Sequence, residues 1–412
     1  MSTELRRCAD TIIEAALREN LPDEAVRHTL SWLDPKGRIF LLAIGKAAWQ
    51  MASAADECLG DRVTDGIVIT KYDHSQGPIA GYRIFEAGHP VSDENSYSAT
   101  QAALDMVSGL NADDTVLFLI SGGGSALFEK PLIPEAEMQD ITKQLLACGA
   151  DITEMNTIRK RLSSVKGGKF AEACPAKISA IVLSDILGDP LDMIASGPAA
   201  PDMSTCEQAK SIVTKYGLSL SEAAKALLNI ETPKRLDNVD SHIVGSVRSL
   251  CESAARTAEK MGFEPVVLTD QLCCEARDAG SFLASIARTH AAEGRSLAYI
   301  AGGETVVHLT GKGLGGRNQE IALAAAAGIS GLDNVLVFSL GSDGTDGPTD
   351  AAGGIVDGCT AARLAEQGIS IDQVLADNDA YHALGKADGL LMTGPTGTNV
   401  NDVAVVLIQG DR

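Results

Sequence analysis

Short apolar runs recur along the chain, separated by stretches whose apolar residues fall every three or four positions. Ile39–Ile44 and Val116–Ile120 are continuously apolar, the pattern of strands buried on both faces. Further strands are predicted at Gly66–Thr70, Tyr82–Glu86, Ala180–Ser184, Ser241–Gly245, Pro265–Leu268, Leu297–Ala301, Thr305–Leu309, Val335–Leu340 and Val403–Ile408. Helical stretches such as Ser96–Ser108 and Asn318–Ala327 lie between many of them. This alternation predicts an α/β protein with largely parallel sheets, in which ligands gather beyond the carboxyl ends of the strands. The polar stretch "NIETPKRLDNVD", which contains Pro233, separates a helical stretch from a new strand. It divides the chain into residues 1–235 and 236–412, with a helical residue 1–35 segment able to pack on either half.

Composition narrows the function classes. A chain of 412 residues has room for two domains, and its 45% apolar but only 4% aromatic content predicts cores of Ala, Val, Leu and Ile. A net charge of -21 argues against nucleic acid and anionic membrane surfaces as partners. It also makes any local cluster of basic residues informative. Nine cysteines, an odd number with no CxxC pair, read as buried thiols in a reduced, cytoplasmic chain. Asp10 and Glu14 inside the first helical pattern are unlike a signal peptide, and no apolar run approaches a membrane span.

The candidate chemistry sits in loops at strand ends. Ile39–Ile44 leads into Gly45 and Lys46 before a helix, a good place for a lysine to meet an anion, because the helix's first amides point the same way. Val116–Ile120 leads into Ser121, Gly122, Gly123, Gly124 and Ser125, whose bare amides could form an anion nest. The segment "TIRKRLSSVKGGKF" carries Arg159, Lys160, Arg161, Lys166 and Lys169 without an acid, and about half of these charges are expected on a solvated helix face. It is not a Walker A loop, because Ser163 and Phe170 stand where glycine and Ser or Thr belong. Asp185, Asp189 and Asp192 follow Ala180–Ser184 and lead to Ser196 and Gly197; Asp185 first, then Asp189, suits a hard cation such as Mg²⁺.

In the second half Gly311, Gly313 and Gly316 spell GxGxxG, but no ribose-binding acid follows at the usual distance. Arg317 is the stronger feature there, since a guanidinium grips a carboxylate or phosphate with two bonds. Asp343, Asp346 and Asp350 lie in a Gly/Pro loop that fails the EF-hand spacing, and residues 392–402 form another loop rich in Gly, Thr and Asn. No serine-hydrolase pattern occurs, and His89 in "AGHPV" is expected to be a packed or turn histidine.

Eight blocks occur in this order: "AIGKAAWQMA", "AGHPVSDENS", "LISGGGSAL", "MNTIRKRLSSVKGGKFA", "LSDILGDPLDMIASGPAAPD", "GGETVVHLTGKGLGGRNQE", "LGSDGTDGPTDAAGGIVD" and "TGPTGTNVNDV". Together they resemble the glycerate 2-kinase family of the MOFRL-containing type, over nearly the whole chain. The resemblance implies ATP-dependent, Mg²⁺-assisted phosphorylation of D-glycerate to 2-phosphoglycerate. It also implies a Rossmann-like N-terminal domain, a smaller α/β C-terminal domain of the MOFRL type and an active site in the cleft between them. It places the family's active-site lysine and arginine on Lys46 and Arg317.

With Asp185 these are the expected catalytic residues, and Asp185 and Asp189 the expected metal ligands. Expected nucleotide contacts are Ser121, Gly122, Gly123, Gly124, Ser125, Asn156, Lys166, Gly167, Gly168, Ser196 and Gly197. Expected substrate contacts are Arg161, Glu304, Asn318, Asp343, Thr398 and Asn399. The competing readings are an NAD(P)H-dependent hydroxypyruvate reductase and a non-catalytic sugar-acid-binding protein. The expected partners are ATP and glycerate, with a homodimer left open.

Overall fold

The computed structural model describes residues 3–410, which divide into two compact units. One unit holds Ala25–Ser184 and Asp189–Val244; the other holds the chain through Glu24, Asp185–Gly188 and everything from Gly245 onward.

The first unit is built on β1 (Ile39–Ile44), β2 (Val63–Lys71), β3 (Tyr82–Ala87), β4 (Thr115–Ile120), β5 (Lys177–Leu183) and β6 (Val239–Gly245). Their order is β3-β2-β1-β4-β5-β6, and β3–β2, β2–β1, β1–β4 and β4–β5 are parallel pairs. This is the doubly wound, Rossmann-like order, whose direction of travel reverses between β1 and β4. Every residue of β1 and of β4 is buried, as their unbroken apolar runs require. Helix Ala48–Leu59 lays Met51, Ala52 and Ala55 on the sheet. Helices Glu135–Ala147, Ile152–Leu162 and Cys206–Tyr216 form a separate core around Ile141, Leu145, Ile158 and Ile212. Asp151 starts the second of these with a capping box: it accepts from the Glu154 amide, and Glu154 accepts from the Asp151 amide.

The second unit contains β7 (Glu264–Leu272), β8 (Leu297–Gly303), β9 (Val335–Gly341), β10 (Gly353–Asp357), β11 (Leu390–Leu391) and β12 (Asp402–Ile408), in the order β11-β10-β9-β12-β8-β7. Only β7–β8 is parallel; the other four pairings are antiparallel. The expectation of largely parallel sheets therefore fails here, because β12 enters between β8 and β9 and β10 returns beside β9 without a crossover helix. Strand β10 escaped prediction because it opens on two glycines. A Cβ on Gly353 would lie 2.0 Å from the Ser339 carbonyl oxygen, so the strand needs the residue that disguises it. Thr305–Leu309 is not a strand: Val306 makes one isolated bridge to Glu275, and Leu309 is 82% exposed with no sheet to join. The first helix, Thr3–Glu19, buries Leu5 and Ile12 against Leu250, Ala254 and Phe338 of this second unit.

Candidate active site

The loops after β1 and β4 meet at the point where the strand order reverses. The Lys46 amide donates to the Gly122 carbonyl at 2.9 Å, the Ala47 amide to Ser121 Oγ at 3.1 Å, and the Ser121 amide to the Ile44 carbonyl at 3.0 Å. Gly45 is required because a Cβ there would lie 2.2 Å from Ser121 Oγ. Gly123 has φ +87° and turns the chain into the short helix Gly124–Leu127. The amides of Gly122, Gly123, Gly124 and Ser125 donate to no group among the described residues. Four successive amide donors are thus left unspent at the place where the sequence suggested an anion nest.

Lys46 is exposed and forms no ion pair among the described residues. A Cβ on Gly123 would lie 3.2 Å from Lys46 Cγ and 3.1 Å from His89 Cδ2, so lysine, histidine and nest adjoin. Burial, then the neighbouring charges of Lys46, Lys71 and His74, hold the His89 imidazole below its ordinary pKa. His89 is half-buried in the turn after β3, as the sequence suggested, and what the sequence did not show is that it adjoins Gly123 and Lys46. On the far side of the nest, Ser125 Oγ lies 2.7 Å from Ser196 Oγ, which donates to Asn156 Oδ1 at 3.0 Å. Ala195, Ser196 and Gly197 all have positive φ, of 50°, 60° and 64°. For Ala195 and Ser196 this costs about 1–2 kcal/mol per residue, offset by the contacts that hold the loop.

The basic segment behaves differently from expectation. Arg161 is fully buried and donates to the Thr157 carbonyl, to Ser204 Oγ and carbonyl, and to Glu231. Lys166 is fully buried, bonded to Glu129 at 2.9 Å and to the Ser125 and Phe128 carbonyls at 2.7 and 3.1 Å. Burial drives the Lys166 ammonium down to about 8 despite the Glu129 charge. The Gly167 and Gly168 amides donate to the Ser196 and Gly197 carbonyls at 3.0 and 2.7 Å. The assignments of Arg161 to substrate and of Lys166, Gly167 and Gly168 to nucleotide are therefore corrected: a charge buried this deeply needs internal partners, and these groups have them. Lys160 is likewise buried, with Nζ 3.0 Å from Asp192 and 3.1 Å from Asp202, so less of the segment is solvated than expected.

Asp189 has φ +54° and a buried Oδ1 with no hydrogen-bond partner among the described residues. Among the described residues no group of three or more His, Cys, Asp or Glu side chains could enclose a metal ion. An orphaned carboxylate oxygen fits Mg²⁺, which keeps most of its water and takes one or two carboxylates together with substrate phosphates. Asp185 belongs to the second unit.

In the second unit Arg317 opens helix Arg317–Gly328. Its Nε and Nη2 donate to the two oxygens of Asp402 at 2.5 and 3.0 Å, and Nη1 donates to Glu304 at 2.9 Å. Burial opposes its charge, but the bonds to Asp402 outweigh burial and raise its pKa above the ordinary value. Arg317 thus grips a carboxylate of its own chain with two bonds, yet each Nη retains a second hydrogen for a ligand. The buried Asp346 accepts from the Asn318 and Gln319 amides at 3.2 and 2.8 Å. Ser339 Oγ donates to Asn318 Oδ1 at 2.6 Å.

Thr398 is corrected from substrate contact to strut: it is buried and donates to the Asn20 carbonyl at 2.7 Å. Asp343 accepts from Thr345 within its own turn, and Asn399 is exposed. The GxGxxG glycines seat the chain itself. Cβ atoms on Gly311 and Gly313 would lie 2.2 Å from the Asp377 carbonyl and 2.4 Å from Asp379 Cβ, and one on Gly316 would lie 2.3 Å from Asp346 Cγ.

Residues 8–229 match a domain of unknown function, DUF4147, and residues 297–402 match the MOFRL family. The chain is 52% identical to a D-glycerate 2-kinase of Thermotoga maritima, covering 98% of both chains. The chain belongs to the glycerate 2-kinase family. It is also 42% identical to a glycerate 2-kinase of Pyrococcus horikoshii, over 92% of this chain and 89% of that one. A crystal structure of the Thermotoga maritima glycerate kinase superposes with a TM-score of 0.94 at 52% identity, covering 98% of this chain and 99% of the other. Membership fits both the doubly wound first unit and the arginine-bearing second one. Among the described residues no helix is long and apolar enough to cross a membrane.

Proposed function

We propose that this protein transfers the γ-phosphoryl group of ATP to the C2 hydroxyl of D-glycerate, giving 2-phospho-D-glycerate and ADP. The observation that carries the reading is the row of unspent amides from Gly122 to Ser125 beside Lys46, at the switch point of a doubly wound sheet. The names of the relatives support the substrate and the position of transfer.

Phosphoryl transfer asks chiefly for positioning and charge neutralisation. The hydroxyl oxygen of glycerate bonds to the γ-phosphorus while its bond to the bridging oxygen breaks, and ADP leaves with that electron pair. Amides of the Gly122–Ser125 nest hold the phosphates, and Lys46 neutralises charge that develops on the equatorial oxygens. In the second unit the remaining donors of Arg317 suit a carboxylate or phosphate oxygen such as glycerate and the phosphoryl group offer. Asp185 takes the hydroxyl proton, a modest demand in a loose transition state. Asp189, with its orphaned carboxylate oxygen, would hold Mg²⁺, whose charge would shield phosphate oxygens.

A coupled ADP-release assay over glycerate, hydroxypyruvate and tartronate, with product regiochemistry read by phosphorus NMR, tests this. Glycerate-dependent ADP release and a C2 phosphate are expected. NADH oxidation by hydroxypyruvate without ADP release would overturn the proposal in favour of a reductase.

A further inference from the structure

The cations of residues 157–170 meet different fates. Lys160 lies 3.0 Å from Asp192 and 3.1 Å from Asp202, Arg161 lies 3.2 Å from Glu231, and Lys166 lies 2.9 Å from Glu129. Lys169 donates to the Arg161 and Ser163 carbonyls at 3.0 and 2.6 Å, which caps the end of helix Ile152–Leu162. Arg159 has no acid partner among the described residues. Its one hydrogen bond there runs from Nη2 to the Ser125 carbonyl at 3.5 Å, so the rest of its guanidinium donors are unspent.

Helical spacing explains where it points. Asn156 and Arg159 are three residues apart and share a face of helix Ile152–Leu162. Asn156 accepts from Ser196 Oγ at 3.0 Å, and Ser196 Oγ lies 2.7 Å from Ser125 Oγ, so that face looks onto the end of the Gly122–Ser125 loop. Lys160 and Arg161 turn instead towards Asp202 and Ser204. Asn156 and Ser196 are buried, whereas Arg159 and Ser125 are only half-buried, so solvent reaches both.

The Ser125 peptide lies between two cations and the loop. Its carbonyl accepts from Lys166 Nζ at 2.7 Å as well as from Arg159, while its amide is unspent. Lys166 is fully buried and committed to Glu129, so only Arg159 has donors left for a ligand. Lys46 adjoins the same row of amides at Gly123, and Arg159 adjoins it at Ser125. Two cations without acid partners thus stand at two points along the unspent amides, in a chain whose net charge is -21. Such spacing suits charge distributed along a polyanion better than the single charge of a monoanion.

We propose that Arg159 is a further catalytic residue of the phosphoryl transfer, touching phosphate oxygens of the departing ADP. This rests on the phosphotransferase reading above. Lys46 serves the transferred group, which leaves the charge on the departing diphosphate for the cation at Ser125. In a loose transition state that charge gathers as the bond from the bridging oxygen to the γ-phosphorus breaks. The planar guanidinium matches two phosphate oxygens at once. Arg159 forms no covalent bond and gives up no proton; ADP leaves with the electron pair, as before.

Arg159→Ala in the full chain, followed by glycerate-dependent ADP release, tests the inference. A fall in kcat of about a hundredfold or more is expected, by analogy with losing one preorganised donor. The KM for glycerate and the melting temperature should stay unchanged, because the side chain makes a single long bond within the protein. Added methylguanidinium should recover part of the lost rate and leave the unmodified protein unaffected, which a merely structural role would not produce. A near-normal kcat, or a loss that methylguanidinium does not relieve, overturns the role of Arg159 while the kinase reading stands. Absence of glycerate-dependent ADP release in the unmodified protein would instead overturn the kinase reading, and the role of Arg159 with it.

Discussion

Lys46 and Gly123 show how much a single position decides. Lys46 has no internal ion pair among the described residues, so its charge is available to a ligand, unlike that of Lys166, buried against Glu129. Lys46→Ala is expected to lower kcat/KM about a hundredfold or more, by analogy with the loss of one preorganised donor. Near-normal kinetics in the ADP-release assay would remove Lys46 from the mechanism. Gly123 sits at φ +87° with His89 and Lys46 within 3.2 Å of where a Cβ would be. Gly123→Ala should cost about 1–2 kcal/mol of stability from the left-handed backbone alone. It should also weaken ATP binding by pushing the nest away from both side chains. Calorimetric titration with ATP checks this, and an unchanged Kd would show that the amides do not bind phosphate. Lys46 and the glycines were legible in the sequence because a strand end followed by glycine has few explanations. His89 was not, because a lone histidine acquires meaning only from what lies opposite it.

At the level of elements, helix Ile152–Leu162 is fastened to the loop beyond β5 by charge. Lys160, 3% exposed in its side chain, is shared between Asp192 and Asp202. Bonds from Thr232 and Ser204, together with the Lys160 charge, keep the Asp202 carboxyl below its usual range although burial pushes the other way. Lys160→Met should destabilise the fold by about 3–5 kcal/mol, since it strands a buried carboxylate; urea unfolding measures it, and a loss under about 1 kcal/mol would contradict the pairing. At the start of helix Arg317–Gly328, burial drives Asp346 up to about 7, against an ordinary value of 3.8, while the Asn318 and Gln319 amides pull it part of the way back. Between those values the folded chain keeps a proton that the unfolded chain has lost. Stability from this group is therefore full at about pH 4 and falls as pH rises towards 7. Asp346→Asn should flatten that slope in melting temperatures recorded from pH 4.5 to 7.5; an identical slope would place the proton elsewhere. None of this polar network was readable beforehand. A run of basic residues looks the same in sequence whether it faces water or lies inside.

For the molecule as a whole, a net charge of -21 means that an anionic substrate must be held by local cations and amides against the general field. ATP with Mg²⁺ at a hundred times its Kd should stabilise the native state by about 2.7 kcal/mol. Chelation with EDTA should abolish turnover until Mg²⁺ is restored, and turnover that survives chelation would remove the metal from the reaction. The amino-acid pattern by itself determined the class of fold, the buried parallel strands of the first unit, the positions of the chemical loops and the family. Unbroken apolar runs and glycine at strand ends are local consequences of burial and close approach. The tertiary structure alone decided that the second sheet is mostly antiparallel, that Thr3–Glu19 packs with the second unit, and which cations are spent. Strand pairing and the fate of a charge depend on partners distant in the chain, and no local pattern encodes them.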